Sequence, residues 1–263
     1  MRRFLIILAA ALGMLIPGAC GRSEPEEVVP VDLKDLLFNN SEVKKGLVID
    51  SKAMKMQMKY DLYLPPKFDA DKAYPILYLL HGAGDNQDAW LDKGDAQKIA
   101  DNYIKNQGGT PMIIVMPDAQ MTFYTGNFET YMHEELMPEV EGKYKFSGKR
   151  AVAGLSMGGY GTLYHALKYS AKFTYAYAMS PATADWFKTF VDAQTDKSVF
   201  PPFTIEVGNQ DTTVDNASTK DLADYMAGKG ISVEFIARDG IHYWNFWQEC
   251  LPKALKKAGE SFK

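Results

Sequence analysis

The sequence has 263 residues, of which 46% are hydrophobic and 24% are charged, and this ordinary composition predicts one globular domain with a sizeable core. Its formal net charge is −4, and its Lys and Arg residues do not cluster into a basic stripe. Because nucleic-acid binding depends on clustered Lys and Arg, this charge pattern argues against a nucleic-acid partner.

The first residues have the order of an export signal. Arg2 and Arg3 precede an apolar run at residues 4–16, and small residues then lead to Cys20. The run is shorter than the roughly 20 residues that a spanning helix needs, which favours a cleaved signal over a transmembrane anchor. A cysteine directly after small residues is typical of a lipoprotein signal. We therefore expect cleavage of residues 1–19, lipidation of Cys20, and an exported protein held at a membrane, in the periplasm or on the cell surface.

The sequence after the signal predicts a tether followed by a domain. Residues 20–45 are polar and acidic, which predicts a semi-extended linker, and residues 46–263 are assigned to the domain. Residues 58–64 alternate polar and apolar side chains, as a half-buried antiparallel edge strand does. Short apolar runs predict further strands, covered on both faces, at residues 75–80, 112–116, 150–153, 174–179, 203–207 and 233–237.

Segments with helical spacing lie between these strands. Helices are predicted at residues 128–144 and 160–168, and apolar residues form one helical stripe at 244–258 although Pro252 interrupts the segment. Strands that alternate with helices predict an α/β fold with a central, mostly parallel sheet and helices on both faces.

The segment from Gly154 to Gly158, with Ser156 at its centre, matches the nucleophile-elbow pattern Gly-x-Ser-x-Gly. It follows the apolar run at 151–153 and precedes a helical run, which is the strand–turn–helix context that the motif requires. Glycines suit this turn because it strains the serine backbone and because side chains there would collide with neighbouring elements. We therefore predict that Ser156 is a nucleophile exposed at the end of a strand.

A serine nucleophile needs a general base, and the chain offers four histidines. His81 ends an early strand and suits an oxyanion loop better, while His133 and His165 lie within helical patterns. His242 follows the last predicted strand, and the chain order of this triad is Ser, acid, His. We therefore predict that His242 is the base, because it alone leaves room for an acid after Ser156.

The acid of such a triad lies at the end of a strand between nucleophile and base. Residues 204–207 predict a strand, and Asp211 lies in the turn that leaves it, at the edge of the sheet where open α/β folds keep their sites. Asp215 is an alternative. Asp239 is a weaker one, because it is so close to His242 on the same loop that its side chain would not easily reach the far ring nitrogen.

Acyl transfer also needs hydrogen-bond donors for the developing oxyanion. The amide of Met157 is expected to supply one donor, and that of Ala83, which follows His81 and Gly82, the other. The histidines are scattered and no zinc-binding spacing occurs, so neither a metal nor a cofactor is expected. With Cys20 lipidated, no disulfide is expected either.

Together these residues resemble the esterase D-like family of α/β-hydrolases, and most of all carbohydrate esterase family one, which contains feruloyl and acetylxylan esterases. The likeness spans nearly the whole domain. The residues that carry it are 60–65, 78–82, 90, 116–118, 134–136, 154–159 and 240–242, with Trp244 and Trp247. By that resemblance Ser156, Asp211 and His242 match the family triad, and Ala83 and Met157 match its oxyanion donors.

The resemblance implies an α/β-hydrolase fold and an esterase that acts on a small-molecule or oligosaccharide ester. Export favours feruloyl or acetyl groups on extracellular xylan over S-formylglutathione, whose hydrolysis is expected in the cytosol. Five aromatic residues are candidates either for stacking substrate at the rim or for plain core packing: Trp90, Tyr124, Tyr160, Trp186 and Phe187. Residues 187–202 are a candidate lid.

Other functions stay open on the same fold. A general acyl esterase, an acyltransferase or a peptidase would use the same three side chains with another acceptor or acyl group. A non-catalytic, carbohydrate-binding lipoprotein is disfavoured because Ser156, Asp211 and His242 are all present. The expected partners are the ester substrate and a membrane reached through the lipid on Cys20, and the sequence does not indicate an oligomeric state.

Overall fold

The computed structural model describes residues 40–263. The expected signal at residues 1–19, the lipidation site Cys20 and the tether up to residue 39 lie outside the described residues. Across residues 40–263, no helix combines the length and the apolar character that crossing a membrane would require.

One sheet of eight strands forms the centre of the described structure. In chain order the strands are β1 (Glu42–Ser51), β2 (Met56–Leu64), β3 (Tyr74–Leu80), β4 (Ile113–Pro117), β5 (Phe146–Leu155), β6 (Tyr175–Met179), β7 (Phe203–Gly208) and β8 (Val233–Arg238). Their order across the sheet is β1-β2-β4-β3-β5-β6-β7-β8. The β1–β2 and β2–β4 pairs are antiparallel, and the other five pairs are parallel.

Helices connect the strands. They are α1 (Ala89–Asp92), α2 (Ala96–Asn106), α3 (Asn127–Thr130), α4 (Met137–Lys143), α5 (Met157–Lys168), α6 (Phe187–Ala193), α7 (Asn216–Gly228) and α8 (Trp244–Ser261). A π-helical segment, Tyr131–Leu136, joins α3 to α4, and short 3-10 helices lie at Ser170–Lys172 and Lys197–Val199. The helix predicted at residues 128–144 is therefore present with a π-helical middle, and α8 continues through Pro252.

The helices cover both faces of the sheet, as the predicted fold class requires. One face carries the large core, which contains residues of α3 to α7, among them Phe128, Val140, Leu163, Val191 and Met226. The opposite face carries the small core, which contains residues of α1, α2 and α8, among them Trp90, Tyr103, Trp247 and Leu251. All seven residues of β3 are buried, because a parallel strand in the middle of such a sheet is covered on both sides.

Two predictions about the edge of the sheet are wrong. The strand at residues 58–64 is antiparallel as predicted, but it is not the edge strand, because β1 pairs along it from Glu42 opposite Leu64 to Ser51 opposite Met56. β1 also begins inside residues 20–45, which the sequence assigned to the tether. Its two Lys residues and its mixed polarity hide it from a search for apolar runs, and such charged residues are common on edge strands.

The candidate lid at residues 187–202 is a packed part of the domain. Phe187, Val191 and Phe200 are buried in the large core, and α6 contacts α5 and α7. A segment with three buried anchors is fixed by packing, so the structure corrects the idea of a separate lid.

The sheet topology brings the predicted catalytic residues to one edge. Ser156 follows β5, Asp211 follows β7 and His242 follows β8. Because β5 to β8 are neighbouring parallel strands, their carboxyl ends lie side by side at the same edge of the sheet.

Candidate active site

Ser156 occupies a sharp turn between β5 and α5. Its backbone has φ 52° and ψ −114°, a conformation that residues with a side chain rarely adopt. The Ser156 amide donates to the carbonyl of Met179 at 2.9 Å, which holds the turn against β6. The strained backbone and this tie keep the hydroxyl group at the end of the strand, as the nucleophile-elbow pattern predicts.

The two glycines of the motif allow backbone segments to approach closely. A Cβ atom on Gly158 would lie 2.3 Å from the carbonyl oxygen of Leu80, and one on Gly154 would lie 2.4 Å from the carbonyl oxygen of Gly158. Both distances are far inside van der Waals contact, and a backbone oxygen cannot move away as a flexible side chain can. The elbow therefore requires glycine at both positions.

The structure brings the three predicted side chains into one hydrogen-bonded line. The Nε2 atom of His242 lies 2.9 Å from the Oγ atom of Ser156, and its Nδ1 atom lies 2.6 Å from Oδ2 of Asp211. An ionised carboxylate only accepts hydrogen bonds, so Nδ1 carries the proton and donates it to Asp211. The Nε2 lone pair then faces the serine hydroxyl, which is the arrangement for removing its proton.

The carboxylate of Asp211 is fixed by the turn that carries it. Its side chain is buried, and its Oδ1 atom accepts from the amides of Thr213 at 2.9 Å and Val214 at 3.3 Å. These bonds occupy one oxygen and aim the other at His242. The imidazole itself is 13% exposed, so one side of it is open to a substrate.

The alternative acids lie elsewhere. Asp215 caps the first turn of α7, where its Oδ1 atom accepts from the amides of Ala217 at 2.9 Å and Ser218 at 3.3 Å. Asp239 is exposed and accepts from the side-chain amide of Gln210 at 3.3 Å. Asp211, which the sequence favoured, is the acid beside the histidine.

His81 fixes the loop that follows β3. Its Nε2 atom accepts from the amide of Ala119 at 2.9 Å, so the proton lies on Nδ1, which donates to the carbonyl of Gly82 at 2.7 Å. A Cβ atom on Gly82 would lie 3.5 Å from that of Ser156, so this loop lies directly beside the nucleophile. The expected oxyanion-loop position of His81 agrees with this geometry.

The two predicted oxyanion donors have free amides in the described part of the chain. Met157 is the first residue of α5, and Ala83 lies in the loop that His81 fixes. Neither amide donates to a protein acceptor within residues 40–263. Both groups are therefore available to an oxygen bound beside Ser156.

His133 and His165 pair with each other on the large-core side of the sheet. The Nε2 atom of His133 lies 3.0 Å from Nδ1 of His165. Burial lowers the pKa of His165 to about 3, and burial together with the neighbouring His165 lowers the pKa of His133 to about 2. These histidines stay neutral near neutral pH and pack inside the fold, so neither is the base of the triad.

The prediction that aromatic residues stack substrate is wrong for two of them. Trp90 and Tyr124 are fully buried, so neither offers a ring face to a ligand. The indole of Trp90 donates to the carbonyl of Leu80 at 3.0 Å, and the hydroxyl of Tyr124 donates to that of His81 at 2.9 Å. Both rings fill core space and brace the end of β3, which is the other common use of large aromatic residues.

Three aromatic side chains form a wall close to the nucleophile. This aromatic wall consists of the candidates Tyr160 and Trp186 together with Phe123, which the sequence analysis did not identify. Ring centroids are 5.4 Å apart for Phe123 and Tyr160, and 6.3 Å apart for Tyr160 and Trp186. Phe123 is 39% exposed and Trp186 is 43% exposed, whereas Phe187 is buried behind them. Tyr160 lies one helical turn after Ser156, to whose carbonyl its amide donates at 2.9 Å.

A cleft of about 560 Å³ opens on the other side of the site, beside the base. This His242-side cleft is lined by Asp85, Lys93, His242, Tyr243, Trp244 and Trp247. Tyr243 is 61% exposed, and Trp247 meets the imidazole of His242 edge-on at 5.0 Å. The sequence did not identify Asp85, Lys93 or Tyr243, because nothing in the local pattern shows that two turns so far apart in the chain meet.

Comparisons with known proteins agree with this geometry. A protein-family model described as "Putative esterase" matches residues 51–258. An endo-1,4-beta-xylanase/feruloyl esterase of Xylanibacter ruminicola is 27% identical over 234 residues, which are 82% of this chain and 31% of that protein. A ferulic acid esterase of known structure superposes with a TM-score of 0.76 at 25% identity, over 85% of this chain and 99% of that chain.

The fold is shared more widely. An S-formylglutathione hydrolase from Agrobacterium tumefaciens superposes with a TM-score of 0.69 at 20% identity, over 86% of this chain and 97% of that chain. Both superpositions confirm the predicted α/β-hydrolase fold. The chain spans about a third of the length of the Xylanibacter protein, 31%.

Proposed function

The chain belongs to the esterase family, and we propose that it hydrolyses carboxylic esters through a covalent acyl intermediate on Ser156. The observation that carries the proposal is the line of hydrogen bonds from Asp211 through His242 to Ser156. A serine hydroxyl becomes an effective nucleophile only when an oriented base removes its proton.

The geometry supports a two-step reaction. His242 takes the proton of Ser156 as the Oγ atom attacks the ester carbonyl carbon, and the amides of Met157 and Ala83 bind the oxyanion that forms. His242 then gives the proton to the departing alkoxide oxygen, leaving an acyl group on Ser156. Water, deprotonated by the same imidazole, then attacks this acyl group; the bond between the acyl carbon and Oγ breaks, His242 returns the proton to Oγ, and the acid is released.

We propose an aromatic acyl group, such as the feruloyl group of xylan, in preference to an acetyl group. The aromatic wall begins one helical turn from Ser156 and offers exposed ring area that an acetyl group would leave empty. Aromatic rings pack favourably edge to face or offset, so a phenolic ring fits this wall. The names of the Xylanibacter relative and of the ferulic acid esterase support the same substrate class.

We also propose that the protein is exported and anchored through a lipid on Cys20. The support is the order of Arg2 and Arg3, an apolar run and small residues ahead of the cysteine. An exported esterase meets extracellular polysaccharide directly, which suits the proposed substrate.

The test is incubation of the full chain with xylan oligosaccharides that carry both feruloyl and acetyl groups, followed by chromatography of the released acids. We expect ferulic acid to be released faster than acetic acid, and both to disappear with Ser156→Ala. Faster release of acetic acid would reject the aromatic acyl group. Full activity in the Ser156→Ala variant would reject the nucleophile.

A further inference from the structure

The proposed reaction requires the leaving alcohol to depart beside the base. His242 can protonate the alkoxide oxygen only if that oxygen comes within hydrogen-bond distance of Nε2. The alcohol part of the ester must therefore extend from Ser156 along the exposed side of the imidazole. The His242-side cleft lies there.

The cleft and the aromatic wall lie over opposite faces of the sheet. Tyr160 of the wall packs against the large core, whereas Trp244 and Trp247 of the cleft belong to the small core and its margin. An ester bound with its acyl group on the wall therefore directs its alcohol into the cleft. The two parts of the substrate meet separate sets of side chains.

The floor of the cleft is rigid and aromatic. Trp244 packs edge-on between Trp90 and Trp247, with centroid distances of 5.3 Å and 5.4 Å. A Cβ atom on Gly94 would lie 2.9 Å from the Trp244 ring, so this ring packs directly against the backbone of the turn that follows α1. Tyr243 stands exposed beside these packed rings and offers a free face.

The rim of the cleft is polar but has almost no net charge. The ammonium group of Lys93 pairs with the carboxylate of Asp85. The side-chain amide of Gln248 on α8 donates to the Lys93 carbonyl at 2.8 Å, which ties the turn after α1 to the helix that follows the base. A paired ammonium and carboxylate can donate to and accept from hydroxyl groups, but they offer little attraction to an anion.

We propose that the His242-side cleft binds the sugar to which the acyl group is esterified, with a sugar ring on Tyr243 and its hydroxyl groups on Asp85 and Lys93. This assignment rests on the proposed esterase function. A sugar presents an apolar C–H face and a border of hydroxyl groups, and the cleft presents a ring face and a border of hydrogen-bonding groups. A simple alkyl alcohol has no further hydroxyl groups with which to bond Lys93 and Asp85. An anionic thiol as the leaving group would gain little attraction from Lys93, because the charge of Lys93 is already paired with Asp85.

The first experiment compares two esters of one acid, a feruloylated arabinoxylan oligosaccharide and methyl ferulate. The measured quantity is the ratio of their kcat/KM values. We expect this ratio to fall about tenfold in Tyr243→Ala, mainly through the KM of the oligosaccharide ester. We expect a smaller fall in the same direction in Lys93→Met.

A matched control is Tyr225→Ala. Tyr225 lies on α7, where its hydroxyl donates to Asp192 at 2.6 Å, and it lines neither the cleft nor the wall. Its ratio should stay at the value of the unchanged protein. A ratio that is the same in Tyr243→Ala, Lys93→Met and the unchanged protein would overturn the assignment.

The second experiment measures binding without catalysis, so it separates the cleft from the proposed reaction. The Ser156→Ala variant is titrated with the deacylated oligosaccharide while tryptophan fluorescence is recorded, because Trp244 and Trp247 line the cleft. We expect a saturable change that is lost on adding Tyr243→Ala. If the fluorescence does not change at millimolar sugar, the assignment is overturned, even when the unchanged protein hydrolyses methyl ferulate. If the Ser156→Ala variant binds the sugar but the unchanged protein does not hydrolyse methyl ferulate, only the feruloyl substrate is rejected and the assignment of the cleft stands.

Discussion

The Nε2 atom of His242 lies 2.9 Å from the Oγ atom of Ser156, although 86 residues separate the two in the chain. The parallel strands β5 and β8 make this meeting possible, because each ends at the same edge of the sheet. The hydrogen bond therefore depends on the whole sheet as well as on the two loops, and several measurable consequences follow from its surroundings.

Asp211→Asn should lower kcat about 10⁴-fold with little change in stability. The amide side chain can still accept from the Thr213 amide, but it can offer its NH₂ group to Nδ1 of His242, which moves the ring proton to Nε2 and removes the base. Ester hydrolysis and denaturant unfolding are measured side by side. Asp215→Asn is the control, since asparagine caps a helix as well as aspartate does. A comparable loss of kcat in that control would contradict the assignment of the acid.

Ser156→Gly should stabilise the fold by about 1 kcal/mol while it abolishes hydrolysis. The backbone at this position has φ 52°, which glycine adopts without strain. Ser156→Ala also abolishes hydrolysis but keeps the strain, so its unfolding free energy should stay near that of the unchanged protein. Chemical denaturation of all three proteins is the measurement. Equal stability of the glycine and alanine variants would show that the turn stores no strain.

Gly158→Ala should destabilise the domain by about 3 kcal/mol and lower ester hydrolysis. The added methyl group would lie 2.3 Å from the Leu80 carbonyl oxygen, so either the elbow or the end of β3 must move. Gly142→Ala is the matched control, because nothing lies within 4 Å of its added methyl group in helix α4. That control should gain about 0.5 kcal/mol from better helix propensity. If Gly158→Ala raised the unfolding free energy as Gly142→Ala is expected to do, the elbow would be loosely packed and the prediction would be wrong.

The stability of the domain should fall as the pH drops below about 6.5. Burial lowers the pKa of His165 to about 3 and that of His133 to about 2, whereas both titrate near 6.5 in the unfolded chain. Between these values the unfolded chain binds more protons, so the unfolding free energy decreases by up to about 1.4 kcal/mol per pH unit for each histidine. Urea unfolding from pH 7.5 to 5 measures the slope.

The double variant His133→Phe with His165→Leu removes both partners of this pair and should flatten that slope. Replacing both avoids leaving one ring nitrogen buried without its partner. The variant keeps all other titratable groups, His81 among them. If its unfolding free energy still fell steeply with decreasing pH, the acid sensitivity would belong to those groups.

Cys20→Ala should release the protein from the membrane fraction into the soluble fraction of the cell envelope. The prediction follows from the proposed lipid anchor, since a thiol is the group that such a lipid modifies. Fractionation and labelling with a radioactive fatty acid measure attachment. Membrane association that is unchanged in the variant would reject Cys20 as the anchor.

The triad could be predicted from the sequence because each of its three residues belongs to a local sequence pattern. The glycines around Ser156 specify a turn, and the end of a strand precedes Asp211 and His242 in the order that the fold requires. The structure then places the three side chains within hydrogen-bond distance. Local patterns that carry a structural reason therefore predicted long-range geometry.

Other features depend on tertiary contacts that no local pattern records. β1 is a polar edge strand whose pairing with β2 defines it, so its sequence alone resembles a linker. Trp90 and Trp186 have similar mixtures of apolar and charged neighbours along the chain, yet Trp90 is buried and Trp186 is exposed. Asp85 and Lys93 become part of a cleft only because the fold places Tyr243, which is 150 residues later in the chain than Lys93, beside them.

The point at which the chain enters the sheet has a consequence for how the domain faces its surroundings. Glu42 lies opposite Leu64, and the neighbouring Tyr63 lies opposite Ile114 near the start of β4, at the rim remote from Ser156. Glu42, where the described sheet begins, therefore lies at the rim opposite to the one that carries Ser156, so an attachment made through this end of the domain would not cover the nucleophile.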